Sequence, residues 1–222
     1  ESPSRTEEAT VPAGPVDTLG RSAPVEQDLP PAARARVAPG PERSEDGFSI
    51  TGQFRVRGEA IDGQFRSFGP DSEELLLLQT RVDAQYKMGD LVLGGEIMDA
   101  RAYSTADNST LRQAEVNALE PLQYWAQYDL GDGLGEGTNT TLKLGQQRML
   151  LGSARLINNP LFRNTANTYL GLRGDIKRGN TDGLTAFYML PTRILPDDIE
   201  GYYDNRIEID RNGFDLQLAG AF

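Results

Sequence analysis

Eight short runs of alternating apolar and polar residues lie between positions 48 and 222, and they constrain the fold more than any other feature of the chain. In the first run, Phe48, Ile50 and Phe54 share one side of an extended chain, while Ser49 and Thr51 share the other. Because side chains along a strand point to alternate faces, each run predicts a strand with one apolar and one polar face. The predicted strands cover residues 48–62, 74–87, 91–103, 120–130, 139–150, 166–177, 183–190 and 213–222.

The connections between these runs alternate in length. Compact Gly/Asp turns, whose residues permit the positive φ of tight turns, follow the second, fourth and sixth runs at residues 87–90, 130–137 and 178–182. Longer connections follow the other runs, as at residues 104–119, 152–165 and 191–212. Short turns on one side and long loops on the other are typical of outer-membrane barrels. We therefore predict an all-β, antiparallel up-and-down transmembrane β-barrel in the bacterial outer membrane, with about eight strands present in this chain.

The composition removes several classes of function. A formal net charge of −11 argues against nucleic acid as a partner, because phosphates demand clustered Lys and Arg. The chain has no Cys and no His, which excludes zinc–thiolate sites, cysteine catalysis and serine–histidine catalysis. We predict a protein that is not an enzyme and that uses no cofactor or metal.

The first 46 residues differ in composition from the rest of the chain. They hold eight of the 13 prolines and no aromatic residue. Such a segment cannot bury enough apolar surface to offset the entropy that ordering would cost. We predict a disordered tail at residues 1–46 and an outer-membrane β-barrel region, incomplete in this chain, at residues 47–222.

Strand parity assigns the polar faces of the runs to the barrel lumen. The predicted inward set is Arg55, Arg57, Glu59, Arg81, Asp83, Glu96, Trp125 and Arg173. The arginines can attract carboxylated sugars, because a guanidinium group binds a carboxylate in bidentate geometry. They can equally neutralise Asp and Glu side chains across the lumen, and the sequence leaves both roles open. Trp125 can stack on a sugar ring or simply fill space.

The fifth run breaks the alternation. Leu142 and Leu144 face outward, and strict alternation would then put Gln146 and Arg148 into lipid as well. An arginine at the bilayer midplane costs about 2 to 4 kcal/mol. We therefore predict a bulge at Gly145 that returns Arg148 to the lumen. The alternative is that Arg148 lies above the hydrocarbon layer.

The same run and the loop after it carry the most specific motif. Residues 142–156, followed by Phe-Arg-Asn-Thr at 162–165, resemble the bacterial alginate-export family of outer-membrane porins. Residues 94–103 and 184–191 are similar to further segments of that family. The resemblance covers roughly residues 48–222. It implies a large monomeric barrel whose arginine-rich lumen passes an anionic polysaccharide.

The resemblance also implies which residues line the pore. The family's constriction arginines correspond to Arg148, Arg155 and Arg163, and Arg101 is placed with the pore-lining residues as well. The expected partners are outer-membrane lipid and an anionic or carbohydrate solute, while contact with periplasmic partners is left open.

Alternatives remain for the extent of the barrel and for the function. Side chains just fill an eight-stranded barrel, so we interpret the chain as part of a longer porin. A closed small barrel is the alternative, favoured by the terminal Phe222. The alternative function is a secreted or periplasmic β-sandwich that binds glycans through Trp125 and the long loops. A third hypothesis is a barrel enzyme that uses the paired carboxylates of Asp197 and Asp198.

Overall fold

The computed structural model describes residues 46–63, 69–152, 157–159, 162–179 and 182–222. This part of the chain contains nine strands and one short helix. The strands are β1 (Gly47–Asp62), β2 (Ser72–Met88), β3 (Leu91–Ser104), β4 (Asn117–Gly131), β5 (Thr138–Gln147), β6 (Tyr169–Arg178), β7 (Asp182–Arg193), β8 (Arg211–Asn212) and β9 (Leu218–Ala221). The helix α1 (Ile199–Tyr203) lies between β7 and β8.

All nine strands belong to one antiparallel sheet. Each of the first seven strands pairs with the next one along the chain, and β7 also pairs with β8 and β9. Within the described residues β1 pairs only with β2, so the sheet is open, as in part of a barrel wall. The predicted all-β, up-and-down architecture is confirmed. The β-sandwich alternative is wrong for this part of the chain, because a sandwich needs two sheets packed face to face.

Seven of the predicted strands correspond to β1 through β7, with ends that differ by at most three residues. The eighth predicted strand, 213–222, is shorter in the structure, where only Leu218–Ala221 pairs with β7. The predicted alternation of short turns and long loops is also observed. In the turn between β2 and β3, Gly89 has a φ of 58°, a conformation that favours glycine.

The two faces of the sheet differ in polarity. Directly paired residues share a face, so parity can be followed from strand to strand. The outer face is apolar and exposed, and it carries Ile50, Phe54, Val56, Leu76, Val82, Tyr86, Leu93, Ile97, Tyr124, Tyr128, Leu142, Leu144, Leu172, Leu184 and Tyr188. The inner face carries the polar side chains of the same strands. A large exposed apolar face is unusual for a soluble protein and fits a sheet with lipid on one side.

The register of β5 does not contain the predicted bulge. Its pairing with β4 and β6 is unbroken on both sides of Gly145. The prediction of a bulge at Gly145 is therefore wrong. Arg148 reaches the inner face because β5 ends at Gln147, so Arg148 no longer follows strand parity. Gln146 keeps its outward position, where its Oε1 accepts a hydrogen bond from Tyr124 Oη at 3.1 Å.

Three long connections pack against the inner face at the end opposite the short turns. We name them loop A (residues 105–116), loop B (residues 148–168, of which the structure describes 148–152, 157–159 and 162–168) and loop C (residues 194–210). In the first buried cluster, Leu75 and Leu77 of β2 pack with Leu111 and Val116 of loop A and with Tyr202 of loop C. Loops A and C therefore share a core with the sheet.

Loop B contributes to two further buried clusters. Ala166 packs with Met98 of β3 and other residues of β3 and β4. Met149 and Ile157 pack with Tyr169 of β6 and with Met189 of β7. Because Met189 faces inward into this cluster, β7 has apolar residues on both faces.

No helix among the described residues is long and apolar enough to cross a membrane. The predicted disordered tail at residues 1–46 lies outside the described residues, except for its last residue. The division at residues 46 and 47 stays a prediction.

Candidate functional site

Two arginines and a glutamine surround the carboxylate of Glu96 on the inner face. Arg81 Nε donates to Glu96 Oε1 at 2.5 Å, and Arg148 Nη2 lies 3.1 Å from Glu96 Oε2. Gln123 Nε2 also donates to Oε2, and the backbone N–H of Arg148 donates to Gln123 Oε1 at 2.9 Å. Strand register explains the cluster, since Glu96 pairs directly with Asp83 on one side and Gln123 on the other. The side chain of Glu96 is only 2% exposed, so its charge depends on these partners.

A second ion pair lies further along the same face. Arg173 Nε lies 2.7 Å from Asp175 Oδ2, and both residues belong to β6. Thr185, which pairs with Asp175 in the register of β6 and β7, donates from Oγ1 to Asp175 Oδ1 at 2.6 Å. Thr185 of β7 thus fixes the carboxylate of Asp175, and that carboxylate fixes the position of the Arg173 guanidinium group.

Trp125 and Lys143 form a cation–π pair between the two ion pairs. Lys143 Nζ lies 3.5 Å from the centroid of the Trp125 ring. Lys143 also pairs with Arg173 in the register of β5 and β6. Lys143 is absent from the predicted site residues, although the outward parity of Leu142 and Leu144 already implies that Lys143 faces inward.

The arginines of β1 contact the backbone of loop B. Arg55 Nη2 donates to the carbonyl oxygen of Arg163 at 2.6 Å, and Arg57 Nη1 donates to the carbonyl oxygen of Phe162. Arg57 also pairs with Glu59, with Nε 2.8 Å from Oε1. These arginines therefore hold loop B against the inner face, a structural role beside the predicted electrostatic one.

Asn164 joins loop B to β2, β3 and loop A. Its side chain is almost fully buried, and its Nδ2 donates to the carbonyl oxygens of Leu78, Arg101 and Glu115 at 3.0, 3.2 and 2.8 Å. Its Oδ1 accepts from Arg55 Nη2 at 3.3 Å. The sequence offers no periodic signal for this residue, because it lies in a loop and its partners are distant in the chain.

The remaining predicted site residues lie apart from this group. Contrary to the prediction, Arg101 lies on the outer face, where it pairs in register with Leu78 and its Nε lies 3.0 Å from both carboxylate oxygens of Asp99. Arg163 is half-buried in loop B. Arg155 falls outside the described residues, so its predicted place at the constriction stays a prediction.

Loop C is attached to the sheet through polar side chains. Asn205 accepts from the backbone N–H of Ala102 at 2.8 Å and donates to the carbonyl oxygen of Ala102 at 2.9 Å. The carboxylate of Asp210 accepts from the N–H of Leu195 at 2.8 Å and from Asn117 Nδ2 at 3.1 Å. Partial burial raises the pKa of Asp210 to about 6.

Asp197 and Asp198 each have a structural partner of their own. Asp198 is the N-cap of α1 and accepts from the backbone N–H of Gly201 at 2.9 Å, which holds the pKa of Asp198 below its usual value. Asp197 pairs with Arg193, and Asp198 pairs with Arg206 at 2.8 Å. The two carboxylates therefore engage different groups.

Cationic side chains cluster around the ion pairs of the inner face. They are Arg55, Arg57, Arg81, Lys143, Arg148 and Arg173, and the carboxylates among them are Glu59, Asp83, Glu96 and Asp175. Further charged residues share this face: Glu73 and Glu120 are buried and accept hydrogen bonds from loops A and C, and Asp129, Lys87 and Lys177 lie beside the short turns. A surface of one predominant sign raises the local concentration of oppositely charged solutes.

These features define a porin-like protein, with antiparallel up-and-down strands, an apolar exposed face and a charged opposite face. Residues 47–208 match the family model described as Alginate export. That match covers most of the chain, and the chain belongs to the alginate export family. The family is one of outer-membrane transport proteins, so the resemblance seen in the sequence is confirmed. No curated protein and no solved structure matches the chain.

Proposed function

We propose that this protein forms the wall of an outer-membrane pore through which anionic polysaccharide, or smaller anionic or carbohydrate solutes, moves along the inner face. One observation carries the proposal: the cluster of cations around the ion pairs on the inner face of a sheet whose outer face is apolar. Membership of the alginate export family also supports a role in moving solutes across the outer membrane.

The ion pairs around Glu96 suit this role because they fix the positions of their arginines. Arg81 and Arg148 share one carboxylate, so the pair together retains positive charge. Conduction requires binding that attracts the solute but remains weak enough to release it. Guanidinium groups that already have a carboxylate partner bind a passing carboxylate less tightly than unpaired ones would, which favours passage over retention.

The long loops narrow the path that a solute takes along the inner face. Loops A, B and C pack against the inner face at one end of the sheet through buried clusters and through Asn164. A solute that follows the inner face must pass these loops. The proposal therefore assigns charge selection to the strands and narrowing to the loops.

The reversal potential in planar lipid bilayers under a KCl gradient tests the function. We expect anion preference for the protein, and Arg173→Glu should reduce it, because the substitution reverses one charge beside the path. Arg178→Glu is the matched control, since this exposed arginine ends the same strand beyond the ion pair and should leave the preference unchanged.

Two results would contradict the proposal. One is cation preference of the unmodified protein. The other is recovery of the folded protein from the periplasm without detergent, because the exposed apolar face requires lipid or detergent cover.

A further inference from the structure

Three oxygen-bearing side chains meet where loop C lies on β4. The backbone N–H of Asp210 donates to Glu120 Oε2 at 3.0 Å, and Asn117 Nδ2 lies 3.2 and 3.1 Å from the two carboxylate oxygens of Asp210. Asn117 is fully buried, Glu120 is only 1% exposed, and Asp210 is half-buried. Two carboxylates and one side-chain amide are therefore neighbours beneath loop C.

The backbone of β4 turns Asn117 and Glu120 toward the same face. On a regular strand, residues three apart point to opposite faces. Leu119, which lies between them, has a φ of 52°, a left-handed conformation that is costly for leucine. The register with β3 shifts at this point, so Glu120 and Asn117 pair with Met98 and Ala100, two buried residues of the inner face. The irregularity thus brings both oxygen-bearing side chains to the inner face.

This cluster holds negative charge that no cationic side chain balances. Throughout the part of the chain that the structure describes, no Lys or Arg nitrogen lies within 4.0 Å of the carboxylate of Glu120 or Asp210. Asn117 Oδ1 is buried without a hydrogen-bond partner, and no described group donates to Glu120 Oε1. Buried charges in proteins are paired or coordinate metals, because an isolated charge is costly to remove from water.

We infer that Glu120, Asp210 and Asn117 form a binding site for one calcium ion that fastens loop C to the sheet. Calcium takes oxygen ligands from carboxylates and Asn carbonyl groups, and water completes its coordination. Magnesium demands near-ideal octahedral geometry and dehydrates reluctantly, so ligands shared between a strand and a loop favour calcium. The inference departs from the sequence prediction of a protein without a metal, and it does not depend on which solute the pore passes.

The site gives calcium a structural role. Glu120 belongs to β4 and Asp210 to loop C, so one ion connects two segments that are 90 residues apart in the chain. Its charge offsets two carboxylates that otherwise repel each other. In calcium-free protein, docking of loop C loses this support, while burial still opposes the charged form of Asp210. Loop C should therefore leave the sheet more often when calcium is removed.

Limited proteolysis of residues 194–210 tests the site in the full chain in an uncharged detergent at a fixed neutral pH. The protein is stripped with EDTA, and a protease that needs no calcium is added with or without calcium chloride. At free calcium of about ten times the Kd, mass action favours the bound state about ten-fold, so cleavage should slow about ten-fold. Sodium chloride of the same ionic strength should leave the rate unchanged, and magnesium chloride should protect much less. Isothermal titration calorimetry should show saturable binding of one calcium ion per chain.

Substitutions locate the ion. Glu120→Gln and Asp210→Asn should each abolish the slowing by calcium, because each removes a charged ligand. Glu200→Gln is the matched control, since it removes a carboxylate whose side chain is 82% exposed on α1 of the same connection, and it should keep the slowing. Far-UV circular dichroism checks that each variant folds, and calorimetry on the unmodified protein decides the matter if neither ligand variant folds.

Several results would overturn the site. Equal slowing by calcium chloride and sodium chloride would do so, as would calorimetry without saturable heat. A calcium response that persists in folded Glu120→Gln and Asp210→Asn would place the ion elsewhere, and loss of the response in Glu200→Gln would place it on the exposed carboxylates of loop C. Equal protection by magnesium chloride would overturn the assignment to calcium.

Discussion

Arg148, the first residue after β5, places its Nη2 3.1 Å from Oε2 of Glu96 on β3, although β4 lies between the two strands. Gln123 of β4 contacts both residues, through its amide nitrogen to Glu96 and its amide oxygen to the backbone of Arg148. Arg81 of β2 completes the cluster. Three consecutive strands and the residue that follows β5 are therefore linked on the inner face by one buried carboxylate.

Replacing Glu96 by glutamine should affect stability and selectivity in opposite directions. The change leaves Arg81 and Arg148 without their carboxylate, and breaking a buried ion pair costs about 3 to 5 kcal/mol. The inner face also gains one net positive charge, so anion preference should rise, by on the order of two- to five-fold, since a unit charge a few ångströms away contributes about 1 kcal/mol in water. Urea unfolding and reversal potentials measure the two effects.

Glu59→Gln provides the control for that experiment. It removes the same charge from the inner face, but the pair of Glu59 with Arg57 is more exposed, with 37% of the Glu59 side chain accessible. An exposed pair contributes about 0 to 1 kcal/mol, so this variant should remain close to the unmodified protein in stability. Equal destabilisation by both variants would contradict the role given to Glu96.

Asn164→Ala should release loops A and B from the sheet. The substitution removes the hydrogen bonds that Asn164 Nδ2 donates to the carbonyl oxygens of Leu78, Arg101 and Glu115, and an intramolecular hydrogen bond typically contributes about 0.5 to 1.5 kcal/mol. Amide hydrogen exchange in residues 105–116 should therefore accelerate. Asn167→Ala, which removes one hydrogen bond of 3.3 Å to the carbonyl oxygen of Asn158, should change amide hydrogen exchange in these residues little. Unchanged exchange in Asn164→Ala would show that the apolar clusters hold the loops alone.

Strand parity predicts the inner positions of Arg81, Glu96 and Trp125 correctly, because alternation is a local property of extended chain. The same rule places Arg101 outward with Ile97, so the predicted pore-lining role of Arg101 does not follow from parity. The ion-pair partners follow from register, which parity alone does not supply. Only once β2, β3 and β4 are aligned does Glu96 fall beside Gln123.

The contacts of the loops could not be predicted from periodicity. Arg148 turns inward because β5 ends one residue earlier, and the position of that end depends on how loop B packs through Met149 and Ile157. Asn164 and Asn205 act through side-chain amides on backbone groups far away in sequence. Such contacts arise only when the whole fold has formed, so the sequence gives no local sign of them.

Docking of loop C should weaken as pH rises. The pKa of Asp210 is raised from 3.8 to about 6 by burial, so the docked loop favours the protonated carboxyl group. Below pH 3.8 the group is protonated in the docked and released states alike, and no penalty arises. Between pH 3.8 and about 6 the carboxyl group of Asp210 loses its proton in the released loop but keeps it in the docked loop. Docking therefore becomes less favourable over this range and stays less favourable at higher pH.

Protease sensitivity of residues 194–210 between pH 4 and 8 measures this effect. Asp210→Asn keeps the side chain neutral and should reduce the pH dependence. The variant keeps the hydrogen bond from the backbone N–H of residue 210 to Glu120 Oε2, which is 3.0 Å long, because this bond does not involve the Asp210 side chain. Docking that strengthens with rising pH in the unmodified protein would contradict the assignment.

An arginine on the outer face should destabilise the protein only in a membrane. Leu144 is exposed on the outer face, so Leu144→Arg should cost about 2 to 4 kcal/mol if the residue lies near the bilayer midplane. Gln85→Arg adds the same charge to the inner face beside Asp83 and should change stability by less than about 1 kcal/mol. Urea unfolding in phospholipid vesicles measures both variants. Both variants add one arginine, and they place it on opposite faces of the sheet, so equal costs would mean that lipid does not cover the outer face.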